Sequence, residues 1–316
     1  MENESLKLGI SFLHDKVRFI EAEELSGFLN IMSIVEGQLP VPLDFNVLGN
    51  SDQIPQFADV IDKTLDNLHS DVQTARVAVD RKLAIKKTFA VDKDLQDQEI
   101  RSQIEWELEQ LLIAPRDEYN VGYEHVQLPH QFEKDIVVFV IVRKALVEYI
   151  QNIFRKTRLR LEILDIDLFS SIRSLLNSTH DAANGAKALI DVNNNHLGFS
   201  LLVDGNYAVS SELPSKVGDE PIEDMDMAER AGRMQNEIET MLQKIDQTGT
   251  INVDHIYLTG EACSDELTEE LVKIQNRAAV SYVNPFQNIH RQLNIEAEML
   301  IEKHPERFAS AVGMVL

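Results

Sequence analysis

Asp191 closes the apolar run Ala188–Asp191, and Val192 leads at once into the polar triplet Asn193-Asn-Asn195 before a second apolar run, Leu197–Val203. A carboxylate at the end of a strand beside a tight polar turn is the layout of a phosphate-binding hairpin. In such a hairpin the backbone N–H groups of the turn meet phosphate oxygens, and the acid helps to place Mg²⁺ and its waters. That chemistry asks for glycine in the turn, because a Cβ holds the backbone away from the phosphate. Asn193 stands in that place. Asparagine tolerates the positive φ of a turn, but it does not restore the close approach.

The other reactive residues give weaker patterns. Asp165 and Asp167 form an Asp-x-Asp pair that could hold a metal, but before an apolar helix they read more simply as a strand end and an N-cap. The nine histidines show no His-x-x-x-His or Cys-His spacing, which argues against zinc. Ser210-Ser211 lacks the Gly-x-Ser-x-Gly setting of a hydrolase. The single cysteine, Cys263, has no activating motif, excludes an intrachain disulfide and suits a reducing compartment. Trp106 on an acidic helix reads as a packing residue, and the methionines of 227–241 read as core. With a net charge of −23 over 316 residues, the chain opposes binding to nucleic acid and to anionic lipid. No apolar run reaches the ~20 residues that span a bilayer.

The elements that must position these residues come twice. Strands are expected at 6–13, 16–22 and 28–35, then a helix with Ile54, Phe57, Ile61, Leu65 and Leu68 on one face, then a strand at 75–80. The second half repeats the order: strands at 188–192, 197–203 and 207–213, a helix carrying Met227, Ala231, Met234, Ile238 and Met241, and a strand at 255–259. Between the halves, 81–160 reads as strand, helix, strand, strand, helix. The spacing predicts an α/β protein of duplicated domains: 1–80 with 161–186, an inserted α/β subdomain at 81–160, and 187–316. Such a duplication places a ligand site in the cleft between halves.

Particular segments resemble one family. Leu8-Gly-Ile-Ser11 with Val17-Arg-Phe-Ile-Glu21 looks like its opening hairpin. Glu99-Ile-Arg-Ser-Gln-Ile-Glu105 and Leu112-Ile-Ala-Pro-Arg-Asp-Glu-Tyr119 look like its inserted subdomain, and Asp165-Ile-Asp-Leu-Phe-Ser170 looks like the segment that returns to the body. Tyr257-Leu-Thr-Gly-Glu261, Asn284-Pro-Phe-Gln-Asn288 and Ala309-Ser-Ala-Val-Gly-Met-Val315 look like its nucleotide loop, Asn-Pro-Phe turn and closing helix. Over nearly its whole length the chain resembles the PilM family, the actin-like cytoplasmic proteins of type IV pilus assembly related to the division protein FtsA.

That resemblance implies a duplicated actin-like (ribonuclease H-like) fold with eroded nucleotide motifs. The cofactor-binding positions become Asp191, Asn193 and Gly260, as vestiges. Ser11 stands where the first hairpin has an aspartate and Leu13 where it has glycine. In the adenosine loop Gly260 is kept, but Glu261 replaces the second glycine. Only 214–225 lie where related ATPases carry a cleft-wall subdomain, room for a loop alone. The expectation is a scaffold with no catalytic residues, no metal and no bound ATP, cytoplasmic and held at the inner membrane through partners. The implied partner is the cytoplasmic peptide of an inner-membrane pilus or secretion protein, bound near the junction of the first domain and the inserted subdomain; an assembly ATPase is a second candidate. A basic juxtamembrane tail would suit the acidic surface. Two alternatives stay open: a divergent Mg-ATP-binding actin-like ATPase, and the cytoplasmic part of a type II secretion platform protein.

Overall fold

The computed structural model describes residues 5–129, 134–194, 196–213, 216–217, 220–221, 224–245, 251–275 and 278–316. The strands are β1 (Ser5–Leu13), β2 (Lys16–Leu25), β3 (Phe28–Gln38), β4 (Thr74–Val79), β5 (Ala84–Asp92), β6 (Tyr119–Val126), β7 (Lys134–Arg143) and β8 (Arg160–Ile166). After them come β9 (Ala186–Val192), β10 (Leu197–Val203), β11 (Asn206–Leu213), β12 (Lys216–Val217), β13 (Glu220–Pro221), β14 (Val253–Thr259), β15 (Ala279–Tyr282) and β16 (His290–Arg291). The helices are α1 (Ile54–Leu68), α2 (Asp97–Leu111), α3 (Lys144–Phe154), α4 (Asp167–Ser178), α5 (Met227–Ile245), α6 (Asp265–Ile274), α7 (Ile295–Lys303) and α8 (Ala309–Val315).

The chain forms two compact units: Met1–Ala84 with Ala145–His180 and Tyr282–Leu316, and Ile85–Lys144 with Asp181–Ser281. In the first, one sheet runs β16-β3-β2-β1-β4-β8. Its first three strands form an antiparallel meander, after which β4 lies parallel to β1 and β8 parallel to β4. Ile54, Phe57, Ile61, Leu65 and Leu68 of α1 are buried, as their spacing requires. Every residue of α8 is buried, so this helix is a core element and not an amphipathic surface one.

The second unit repeats the topology. Its main sheet runs β11-β10-β9-β14-β15, again an antiparallel meander followed by a strand parallel to the first. Numbered along the chain within each sheet, the second reads 3-2-1-4-5 and the first 6-3-2-1-4-5, the same order with β16 added beside its third strand. A smaller sheet, β5-β7-β6, is packed on α2 through Ile100, Ile104, Leu108, Val137, Phe139 and Ile141. The apolar run of β7 is the central strand, buried on both faces.

Contacts divide the chain differently from the boundaries 81–160 and 187–316. The C-terminal segment packs into the first unit: Asn288 Nδ2 donates to the carbonyls of Asn177 and Ser178 at 3.0 and 2.9 Å. Ser174 Oγ donates to the Ala309 carbonyl at 2.6 Å. A Cβ on Gly313 would overlap the Ser170 carbonyl, so only glycine lets α8 sit this close to α4. Helix α3 also joins the first unit, with the Tyr149 ring edge-on to Phe57 at 6.3 Å. Trp106, read from sequence as a packing residue, is 58% exposed, because the buried face of α2 is the Ile100-Ile104-Leu108 stripe. Between β11 and α5, where only a loop was expected, β12 and β13 form a short antiparallel ladder. The first four residues and Asn195 lie outside the described residues.

Candidate functional site

The hairpin singled out by Asp191 is β9–β10, with Val192 opposite Leu197 and Asp191 opposite Gly198. Parallel pairing with β14 sets Thr259 beside Asp191 and so brings Gly260 against the hairpin. The sequence-derived positions Asp191, Asn193 and Gly260 therefore meet at one place. Gly260 has φ +108°, and a Cβ there would overlap the Val192 carbonyl and lie 2.7 Å from Asp191 Oδ1. Glycine is required here for contact within the chain.

Side chains of the protein fill this loop. Asn193 Nδ2 donates to Asp191 Oδ2 at 2.9 Å, and His196 Nε2 stands 3.6 Å from the same oxygen. Asp191 and His196 are 6% and 4% exposed. The Asn193 amide N–H donates to the His196 carbonyl at 3.1 Å, and the Glu261 N–H donates to Asn193 Oδ1 at 3.2 Å. The Ala262 N–H donates to the Val192 carbonyl at 2.9 Å. Three backbone donors of the hairpin and the glycine loop are thus satisfied internally. From α5, the Arg230 guanidinium donates to the Asn193 carbonyl at 2.9 Å. Burial lowers the Arg230 pKa, an effect that Cys263 partly offsets.

His196 and Arg230 were absent from the sequence reading. Arg230 had a signal, since it lies four residues before Met234 on the apolar stripe of α5, where a charge needs a reason. His196 had none, because a histidine beside a hairpin turn is commonplace.

The first hairpin, β1–β2, pairs Leu13 with Lys16 and Ser11 with Arg18. Ser11 Oγ is buried without a hydrogen-bond partner among the described residues. The turn carbonyls of Asp15 and His14 accept from the N–H groups of Leu39 and Leu43 at 2.7 and 3.0 Å, so the segment after β3 covers this turn. Neither acid of the Asp-x-Asp pair is the N-cap of α4. The cap residue of α4 is Ile166, without a side-chain cap bond; Asp167 is the first helical residue and turns inward to the Arg81 N–H and Nε at 2.8 and 3.1 Å. Asp165 is the strand-end residue and holds Arg173 at 2.8 Å. No group of three or more His, Cys, Asp or Glu among the described residues could hold a metal ion, and no helix among them is long and apolar enough to cross a membrane.

Two sheets that share the order 3-2-1-4-5, the first with β16 added at its edge, have the duplicated arrangement of an actin-like fold. Sequence narrows that class, because residues 9–215 match the model of the type IV pilus assembly protein PilM family. The chain belongs to that family. No curated protein matches it in sequence. Among solved structures it is similar to a "PilM-PilN type IV pilus biogenesis complex", at 17% identity and a TM-score of 0.70 over 99% of this chain and 98% of that one. Similarity at 13% identity and a TM-score of 0.46 extends to a Bacteroides thetaiotaomicron protein with an actin-like ATPase fold, covering 95% and 96% of the two chains. At 7% identity and a TM-score of 0.44, it is also similar to the cytoplasmic domain of EpsL, an inner membrane component of the type II secretion system of Vibrio cholerae, over 95% and 94%.

Proposed function

We propose that this PilM-family protein is a non-catalytic cytoplasmic scaffold, held at the inner membrane by binding the cytoplasmic tail of a pilus assembly protein. The observation that carries the non-catalytic part is the Asn193 side chain. Its amide nitrogen holds Asp191, and its oxygen takes the Glu261 N–H. An actin-like ATPase uses such an acid for Mg²⁺ and such N–H groups for phosphate. Here both sets of groups are spent within the chain, so Mg-ATP does not fit the residues present. Ser11 and Leu13 agree, since the first hairpin offers neither the acid nor the bare backbone.

The partner reading draws on family membership and on the charge of the chain. A net charge of −23 favours a basic tail and disfavours nucleic acid and direct insertion among anionic lipids. The similar solved complex pairs a PilM with a PilN, which supports a partner from the pilus machinery. The test is affinity capture from solubilised membranes of the source cell with the tagged chain. Recovery of an inner-membrane protein with a short cytoplasmic tail is expected. Recovery of soluble enzymes alone would count against the proposal.

A further inference from the structure

We propose that the open edge of β6, beside α2, is a docking site where an extended basic segment of a partner protein adds a fourth strand to the β5-β7-β6 sheet. Among the described residues, β6 pairs in that sheet with β7 alone. Arg116 donates to the Tyr119 carbonyl at 3.1 Å, so that carbonyl faces away from β7. Backbone direction alternates along a strand, and Val121 and Tyr123 therefore present their N–H and C=O groups to the same open edge. Natural sheets protect such an edge with charges, prolines or a covering element. β6 has exposed Gly122 at its middle and one charged carboxylate, Glu124.

Beside the edge lies a groove of about 660 Å³ between α2 and β6. Ile104, Leu108, Leu112, Val121 and Tyr123 give it an apolar lining, and Tyr123 is 49% exposed. A strand paired with β6 would send alternate side chains into this groove, under the helix that already covers the other strands. Glu105 and Glu109 line the groove with Arg101 and Arg116. Arg116 is partly engaged with Tyr119, and residues 97–126 carry eight carboxylates against two arginines. The occupant is therefore an extended segment whose groove-facing positions, every second residue, alternate an apolar side chain with lysine or arginine, so that the basic ones meet Glu105 and Glu109. A second copy of the chain fits poorly, because edge-to-edge pairing would bring two acidic α2 helices and two Glu124 carboxylates together. The inference goes beyond the scaffold reading and does not depend on it.

The test uses the full chain and two synthetic ten-residue peptides, one repeating valine-serine-lysine-serine and one repeating valine-serine-glutamate-serine, so that valine and the charged residue share the groove-facing side. Calorimetry gives affinity, and hydrogen exchange gives location. The expected result is micromolar binding of the lysine peptide alone, with the Val121 and Tyr123 amides slowed at least fivefold. The double variant Glu105→Lys/Glu109→Lys, which alters exposed helix positions only, should weaken the lysine peptide at least tenfold and admit the glutamate peptide. Ala114→Trp, which fills the groove, should block both. Binding that leaves β6 exchange unchanged, or a preference unaltered by charge reversal, would overturn the proposal. So would a homodimer that already protects β6 and excludes the peptide.

Discussion

Gly260→Ala measures how tightly the glycine loop is closed on the Asp191 hairpin. At φ +108° an alanine carries backbone strain of about 1–3 kcal/mol. Its Cβ would also overlap the Val192 carbonyl and sit 2.7 Å from Asp191 Oδ1 and 2.8 Å from the Val192 nitrogen. These are backbone and buried carboxylate atoms, not the flexible end of a side chain, so relief requires β9 and β14 to part locally. Overpacking of that kind costs about 1–3 kcal/mol. Together the two effects give about 4 kcal/mol, and at about 2–4 °C per kcal/mol the melting temperature falls by about 8–16 °C. The control is Gly232→Ala in α5, where an added Cβ meets nothing within 4 Å. Helix propensity makes that change neutral or stabilising by up to about 1 kcal/mol. Thermal melts followed by circular dichroism compare the two variants with the parent. A Gly260→Ala protein that melts within about 2 °C of the parent would refute the closed-loop geometry.

Other predictions rest on independent contacts. Asn193→Ala loses the bonds to Asp191 and to the Glu261 N–H and should cost about 1–3 kcal/mol in urea unfolding, at about 1 kcal/mol per bond. Gly313→Ala should destabilise the first unit by at least about 3 kcal/mol, because its Cβ overlaps the Ser170 carbonyl, and limited proteolysis should then release the C-terminal helix. Glu36→Gln removes the partner, at 2.6 Å, of the fully buried Arg18, and should cost about 2–3 kcal/mol at pH 7. Burial raises the Glu36 pKa, but Arg18 and then Lys16 outweigh it and hold the carboxyl below 4.5. This contribution is therefore present above pH 4.5 and is lost as the pH falls through the depressed folded value, so the gap between parent and variant in unfolding experiments should narrow as the pH is lowered below 4.5.

The repeated order of elements was legible because its signals are local. Apolar spacing in α1 and α5, the alternation of the meanders and the continuous apolar run of β7 each follow from one short stretch. The meeting of Asp191, Asn193 and Gly260 was also legible, through resemblance to a motif. What stayed hidden depends on long-range packing. The placement of 282–316 with the first unit rests on Ser174, Asn288 and Gly313 contacts that no spacing announces. The same is true of the inward turn of Asp167: an acid at a helix start reads as a cap until Arg81, far away in sequence, is placed beside it. His196 and Arg230 were missed for that reason too, since hairpin register and the rotation of α5 put them at the site.

The scaffold proposal stands on the polar groups of the Asp191 hairpin being satisfied by the chain itself. Isothermal calorimetry of the purified protein with Mg-ATP tests it most directly. The account predicts no heat of binding at millimolar nucleotide and no hydrolysis above background, with the melting temperature unchanged by Mg-ATP. Micromolar affinity, or a nucleotide-dependent rise in melting temperature, would contradict it.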